Sequence, residues 1–191
     1  MKRLTGVLLI AVVMVGGYFL LQFGYQTYMK VAYPVKYEEY ITKYAKQYEV
    51  DPLLVLSVIR TESNFYEKAV SSADARGLMQ LRPDTFEWAK SKAKSEESPS
   101  VEELFDPEVN IHYGIVTLKT LLDEFEHTDV ALCAYHAGRG NVKKWLQKPD
   151  YSDDGKTLKQ IPYNDTESYV RKIKETIKIY RKLYETEDSA T

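Results

Sequence analysis

The sequence predicts an all-α protein with a single hydrophobic core. Three observations lead there. No run of alternating apolar and polar residues is long enough to make a strand. Apolar residues recur at spacings of three and four along most of the chain. Helix-starting and helix-ending residues such as Asp51-Pro52, Pro83, Pro107 and Gly138 punctuate those runs. Together they predict about seven or eight helices packed as one domain.

The first element stands apart. Leu4 to Phe23 carries no charge, and the next charged residue is Lys30. That run is about the ~20 residues a helix needs to cross a bilayer. Lys2 and Arg3 precede it, so the positive-inside rule keeps the N-terminus cytoplasmic and sends the rest of the chain outward. The expectation is an N-terminal transmembrane helix within residues 1–30 and a single-pass protein with residues 31–191 on the extracytoplasmic side. The alternative is a signal sequence cleaved near Val15–Gly17, with a secreted product. "YFLLQF" prolongs the apolar run past that point, which favours the anchor.

In Val35–Tyr48, Tyr37, Tyr40, Ile41, Tyr44 and Tyr48 share one helical face. Asp51-Pro52 then starts a helix that runs to about Ser63, with Asp as N-cap and Pro in the first turn. Residues 64–74 read as loop, and "ARGLMQL" at Ala75–Leu81 as a short helix. Pro83 opens another helix, and Lys94–Ser100 reads as a polar surface loop. Pro107–Phe125 has a broad apolar face, Asp129–Ala137 ends at Gly138, and "GRGNVKKWL" reads as a turn and a short helix. Tyr151–Lys159 is a polar insertion. Thr166–Tyr184 closes the chain, with Tyr169, Val170, Ile173, Ile177, Tyr180 and Leu183 on one side.

Composition excludes several classes of function. Net charge is −2, and the first thirty residues hold Lys2, Arg3 and Lys30 without an acid, so the remainder is more acidic than the whole. A nucleic-acid binder needs a basic stripe instead. The single cysteine, Cys133, cannot form an internal disulfide, and its apolar neighbours mark a buried, inert thiol. His112, His127 and His136 lack metal-site spacing, and no "GxSxG" elbow or phosphate loop occurs. Neither a metal nor any other cofactor is expected. Sixteen tyrosines suit helix packing with one wet edge, and they also suit sugar-binding clefts.

One carboxyl group stands out. "RTESNF" at Arg60–Phe65 ends the apolar run "DPLLVLSVI", and on a helix Glu62 faces Ile59, Val58 and Val55. Lost hydration raises a carboxyl pKa, which is what a general acid needs near neutral pH. A buried salt bridge, or a helix end emerging into water, remains the plainer alternative. Glycosidases usually pair two carboxylates. Asp74, Asp84, Glu87, Asp129 and Asp165 all lie in polar or cap-like settings, so no second acid matches Glu62.

Five segments then occur in order: "ESNF" at Glu62–Phe65, "AVSSADARGLMQLRPDT" at Ala69–Thr85, "LFDPEVNIHYG" at Leu104–Gly114, "AYHAGRGNVKKW" at Ala134–Trp145 and "IPYNDTESYV" at Ile161–Val170. From about Tyr48 to Tyr184 the chain closely resembles the soluble-type lytic transglycosylase domain, a relative of goose-type lysozyme. The resemblance implies a lysozyme-like helical domain at 31–191. It implies cleavage of the β-1,4 bond between N-acetylmuramic acid and N-acetylglucosamine in peptidoglycan, closing a 1,6-anhydro ring. Glu62 matches the single catalytic acid, which then serves as base. Ser63 matches the serine that helps fix it. Met79 and Gln80 match the end of "GLMQ", while Ala134, Tyr135 and His136 in "AYHAG" and Tyr169 in "ESYV" match cleft positions. On this resemblance Ser63, Met79, Gln80, Ala134, Tyr135, His136 and Tyr169 are substrate-binding candidates, and the partners are glycan strands. Two departures stand out. His136 replaces the usual Asn, and "DTES" lacks the usual arginine. A hydrolytic muramidase on the same fold and a catalytically silent wall-binding factor are the alternatives. The intact "ES" and "GLMQ" speak against the second.

Overall fold

The computed structural model describes residues 2–93 and 98–185, with side chains from residue 12 onward. Among the described residues the regular structure is helical: α1 (Lys2–Ala32), α2 (Glu38–Tyr48), α3 (Pro52–Ser63), α4 (Pro83–Lys90), α5 (Pro107–Phe125), α6 (Thr128–Ala137), α7 (Arg139–Leu146) and α8 (Asn164–Tyr180). A 3₁₀ turn at Val101–Phe105 precedes α5, and a π-helical turn at Arg181–Glu185 follows α8. Part of the expected polar loop, residues 94–97, lies outside the described residues.

The chain divides into two compact units. One comprises residues 1–34 and 179–191, the other residues 35–178. In the first, the Tyr180 and Tyr184 hydroxyls donate to the Pro34 and Tyr33 carbonyls at 2.9 and 2.8 Å. Tyr33 meets Tyr180 edge-on. The expected anchor falls partly on residues 4–11, whose side chains lie outside the described residues. Among the described residues no helix is long and apolar enough to cross a membrane.

In the second unit α5 is the central element, packed against α2, α4 and α6. Ile111, Ile115 and Leu118 are fully buried, and Asp106 caps the helix by accepting from Val109 N at 3.1 Å. The α3 N-terminus is built the same way, with Asp51 accepting from Leu53 N at 2.8 Å and Pro52 in the first turn. The expected insertion is a coiled loop. Its Asp154 carboxylate accepts from Lys156 N and Thr157 N at 2.8 and 2.7 Å, which holds that carboxyl well below its usual range. Cys133 is buried, and desolvation pushes its thiol up to about 12.

One predicted element is wrong. Ala75–Leu81 is not a helix but a tight reversal, with antiparallel bridges between Val70 and Arg76 and between Arg76 and Leu81. Gly77 and Gln80 both take left-handed backbone angles, φ 76° and 50°, which a right-handed helix cannot hold. Asn110 fixes the turn. Its amide donates to the Arg76 and Leu104 carbonyls at 2.9 and 2.8 Å and accepts from Met79 N at 2.7 Å. A Cβ on Gly77 would stand 2.2 Å from the Asn110 amide nitrogen, so glycine is required there. The apolar residues that suggested a helix, Leu78, Met79 and Leu81, all point into the core.

Candidate active site

The site begins where α3 stops. Val55, Val58 and Ile59 are fully buried, so the face they share with Glu62 is dry. Asn64 and Phe65 both have positive φ, and Asn64 N returns to the Arg60 carbonyl at 3.1 Å. The helix therefore ends one residue beyond Glu62 and leaves its carboxyl at the edge of the core. Tyr169 on α8, 6% exposed, donates its hydroxyl to Glu62 Oε1 at 2.7 Å.

Burial raises the Glu62 pKa from 4.5 to about 7. The Tyr169 hydrogen bond and the charge of Lys172 act in the opposite sense, but desolvation is the larger effect. Glu62 lines an open cavity of about 380 Å³ together with Ser63, Asn64, Val70, Gln80 and Lys172. Among the described residues lining that cavity it is the sole carboxylic acid. The described lining thus offers no second carboxylate to hold a covalent intermediate or activate water.

The turn after α3 supplies the floor. Ser63 Oγ donates to the Leu78 carbonyl at 2.8 Å and sits 3.1 Å from the Ile59 carbonyl, so it clips the end of α3 to the Gly77–Gln80 reversal. Tyr135 on α6 donates to the Met79 carbonyl at 2.8 Å. Enclosure and the neighbouring Glu62 push both the Tyr135 and Tyr169 phenols well above their ordinary range, so they remain donors. His136 packs at a tilt against Tyr169, with ring centroids 4.5 Å apart, and its Nδ1 lies 3.0 Å from Thr166 Oγ1. Desolvation lowers the His136 pKa despite the nearby Asp165 carboxylate, so the ring is neutral near pH 7.

Residues 39–158 match the Transglycosylase SLT domain family, most of the chain. The chain belongs to that family. A putative soluble lytic murein transglycosylase of Haemophilus influenzae is 31% identical over 76% of this chain and 25% of its own length. A membrane-bound lytic murein transglycosylase C of Edwardsiella ictaluri is 31% identical over 78% of this chain and 47% of its own. The solved structure of an inactive mutant of the lytic transglycosylase Slt from Pseudomonas aeruginosa superposes with a TM-score of 0.71 at 28% identity. It covers 81% of this chain and 25% of that one. The chain thus spans about a quarter of the length of the first relatives it matches. The fold is the lysozyme-like helical domain of the SLT family.

Most residues singled out in the sequence lie at or beside the cavity, and three stand differently from expectation. Glu62, Ser63 and Gln80 line it, Tyr169 bonds to Glu62, and Tyr135 and His136 stand behind them. Met79 is the correction. Its side chain is 0% exposed and lies where any Cβ on Gly114 would collide with its sulfur at 2.2 Å, so it packs in the core. Only its backbone serves the site. Ser63 was expected to steady the acid by hydrogen bonding; its hydroxyl instead bonds the Ile59 and Leu78 carbonyls. Ala134, 3% exposed, lines a different cavity. Tyr169 lies beyond the matched residues 39–158, so geometry alone connects it to Glu62. The sequence reading missed Lys172, a surface lysine by pattern, and Asn110, whose motif gave no hint that its amide organises the turn beneath the acid.

Proposed function

We propose that this domain is a peptidoglycan lytic transglycosylase. The observation that carries the reading is one enclosed carboxyl group, with a pKa of about 7, facing an open cavity that has no described partner acid. Its matching family supplies the reaction class, and relatives named as lytic murein transglycosylases supply the substrate class.

Below pH 7 Glu62 holds a proton. Tyr169 occupies Oε1 as a donor, so that proton resides on the other oxygen. Glu62 delivers it to the glycosidic oxygen between N-acetylmuramic acid and N-acetylglucosamine. The substrate's acetamido group assists at the anomeric carbon. Glu62, now a carboxylate, takes the proton from the C6 hydroxyl of the muramyl residue as that oxygen closes the 1,6-anhydro ring. An intramolecular hydroxyl has a very high effective concentration and outcompetes water, so a second carboxylate is unnecessary. Tyr169 steadies both charge states of the acid by remaining a donor.

The reading places the domain on the extracytoplasmic side, held by α1. Val12, Val13, Phe19, Leu20, Leu21 and Phe23 are all more than half exposed, an apolar surface that suits lipid. A relative named as membrane-bound agrees.

Mass spectrometry of products from purified peptidoglycan tests the reaction. Anhydro-muropeptides lacking a new reducing end are expected. Reducible muramyl ends mean hydrolysis instead, and no release by a folded protein means a silent wall binder.

A further inference from the structure

His136 has no step in the chemistry above, yet it packs against the tyrosine that bonds the acid. Glu62 ends α3, and its hydrogen bond arrives from Tyr169 on α8. A phenol keeps such a bond only while its ring stays in one rotamer, because a change of χ1 carries the hydroxyl away. The Tyr169 ring meets the His136 ring from the end of α6, with planes 31° apart.

His136 is itself tied to α8. Its Nδ1 bonds Oγ1 of Thr166, which is fully buried in the first turn of that helix. Thr166 and Tyr169 are three residues apart and share a helical face. One imidazole therefore spans that face, with a hydrogen bond at the first residue and its ring against the second. An asparagine, the usual residue at this position, could make the Thr166 bond but offers Tyr169 a much smaller plane.

A direct effect of His136 on the acid is not what the geometry supports. Among the described residues no hydrogen bond joins His136 to Glu62, and the groups that shift the Glu62 pKa besides burial are Tyr169 and Lys172. The ring is neutral near pH 7, so it brings no charge. Its influence passes through Tyr169.

We propose that His136 is a positioning residue: its ring, pinned to Thr166, seats Tyr169 so that the phenol stays on Glu62. The proposal rests on the acid role assigned to Glu62 above, and it requires no contact between His136 and the substrate.

A double-mutant cycle tests it with four full-length proteins: unmodified, His136→Ala, Tyr169→Phe and the double variant. The first readout needs no substrate. Side-chain carboxyl ¹³C shifts report the Glu62 titration, with Glu62→Gln to assign the signal. The Tyr169 bond lowers the Glu62 pKa, so His136→Ala should raise it, by less than Tyr169→Phe does. The double variant should titrate where Tyr169→Phe does. The second readout is turnover of purified peptidoglycan. His136→Ala should lower kcat on the order of fivefold and leave KM within about twofold. Added to Tyr169→Phe it should cost nothing further. His136→Phe, which returns a flat ring, should recover more of kcat than His136→Asn, which returns only the polar contact. His136→Asn takes the place of the alanine variant if that one fails to fold. An unmoved Glu62 titration, additive losses in the double variant, or a rise in KM with kcat retained each overturns the proposal. If the unmodified protein yields no anhydro product while the carboxyl titration still shows the coupling, the reaction is wrong and the positioning stands.

Discussion

Glu62 and His112 are two titratable groups in similar surroundings with different outcomes. Each receives a tyrosine hydroxyl: Tyr169 reaches Glu62 Oε1 at 2.7 Å, and Tyr48 lies 2.9 Å from His112 Nε2. Each is held mainly by desolvation in its neutral form, with Glu62 raised to about 7 and His112 lowered to about 4. His112 is stacked flat on Tyr44 at 4.2 Å and is 5% exposed, whereas Glu62 opens onto a cavity. A perturbed pKa therefore marks burial, and only access to a cavity turns it into chemistry.

The sharpest way to break this comparison is to remove the acid. Glu62→Gln is expected to lower turnover at least ~10³-fold while the fold persists, since the residue acts as both acid and base. It should also gain stability at alkaline pH. The folded pKa of about 7 exceeds the ordinary 4.5, so ionising Glu62 costs the folded state above pH 7 and nothing below pH 4.5. Urea melts should show the variant more stable by up to ~3 kcal/mol at pH 8, with the gap closing as pH falls. An equal gap at pH 8 and below pH 4.5 would contradict the enclosed proton.

His112 tests the other half. His112→Ala should cost about 3 kcal/mol of stability, by emptying the space against Tyr44 and removing the hydrogen bond between His112 and Tyr48, yet leave activity per folded molecule nearly unchanged. The unmodified protein should weaken as pH drops from 6.5 toward 4. The depressed folded pKa means that the unfolded chain takes up the proton first. Selective loss of turnover in the variant would show that His112 serves the site.

These two regions were unequally legible in the sequence. Val55, Val58 and Ile59 stand at helical spacing from Glu62, so the dry face could be read directly. His112 lies in the same kind of apolar helix, but nothing local shows that Tyr44 and Tyr48 come to it from α2. That is tertiary pairing. The failure at Ala75–Leu81 has the same origin. Leu78, Met79 and Leu81 have a helical appearance, and the turn exists because Asn110, about thirty residues away, takes over its backbone hydrogen bonds. Lys172 is hidden for a related reason, since its position on α8 reads as an exposed face until the helix is docked beside Glu62.

Tyr169→Phe should have a smaller effect. Losing a hydrogen bond to the acid costs on the order of tenfold in kcat/KM. That bond lowers the Glu62 pKa, so the alkaline limb of the pH profile, expected near 7, should move upward. A limb that moves down, or does not move, would mean that Tyr169 supports the fold without touching the proton.

The smallest expected effect belongs to Lys172. Its charge acts on Glu62 as the last and weakest of the three influences, through a cavity open to water. Lys172→Met should raise the alkaline limb by at most about half a pH unit, because exposed charge pairs contribute less than about 1 kcal/mol. The shift should fade as salt rises, since screening already removes most of the field. The corresponding change at His112 is a useful contrast. Lys43 and Glu108 act on it with opposite signs, so salt should leave acid unfolding nearly unchanged. Salt dependence at Glu62 with none at His112 would separate a group under one unbalanced charge from a group under two charges that cancel.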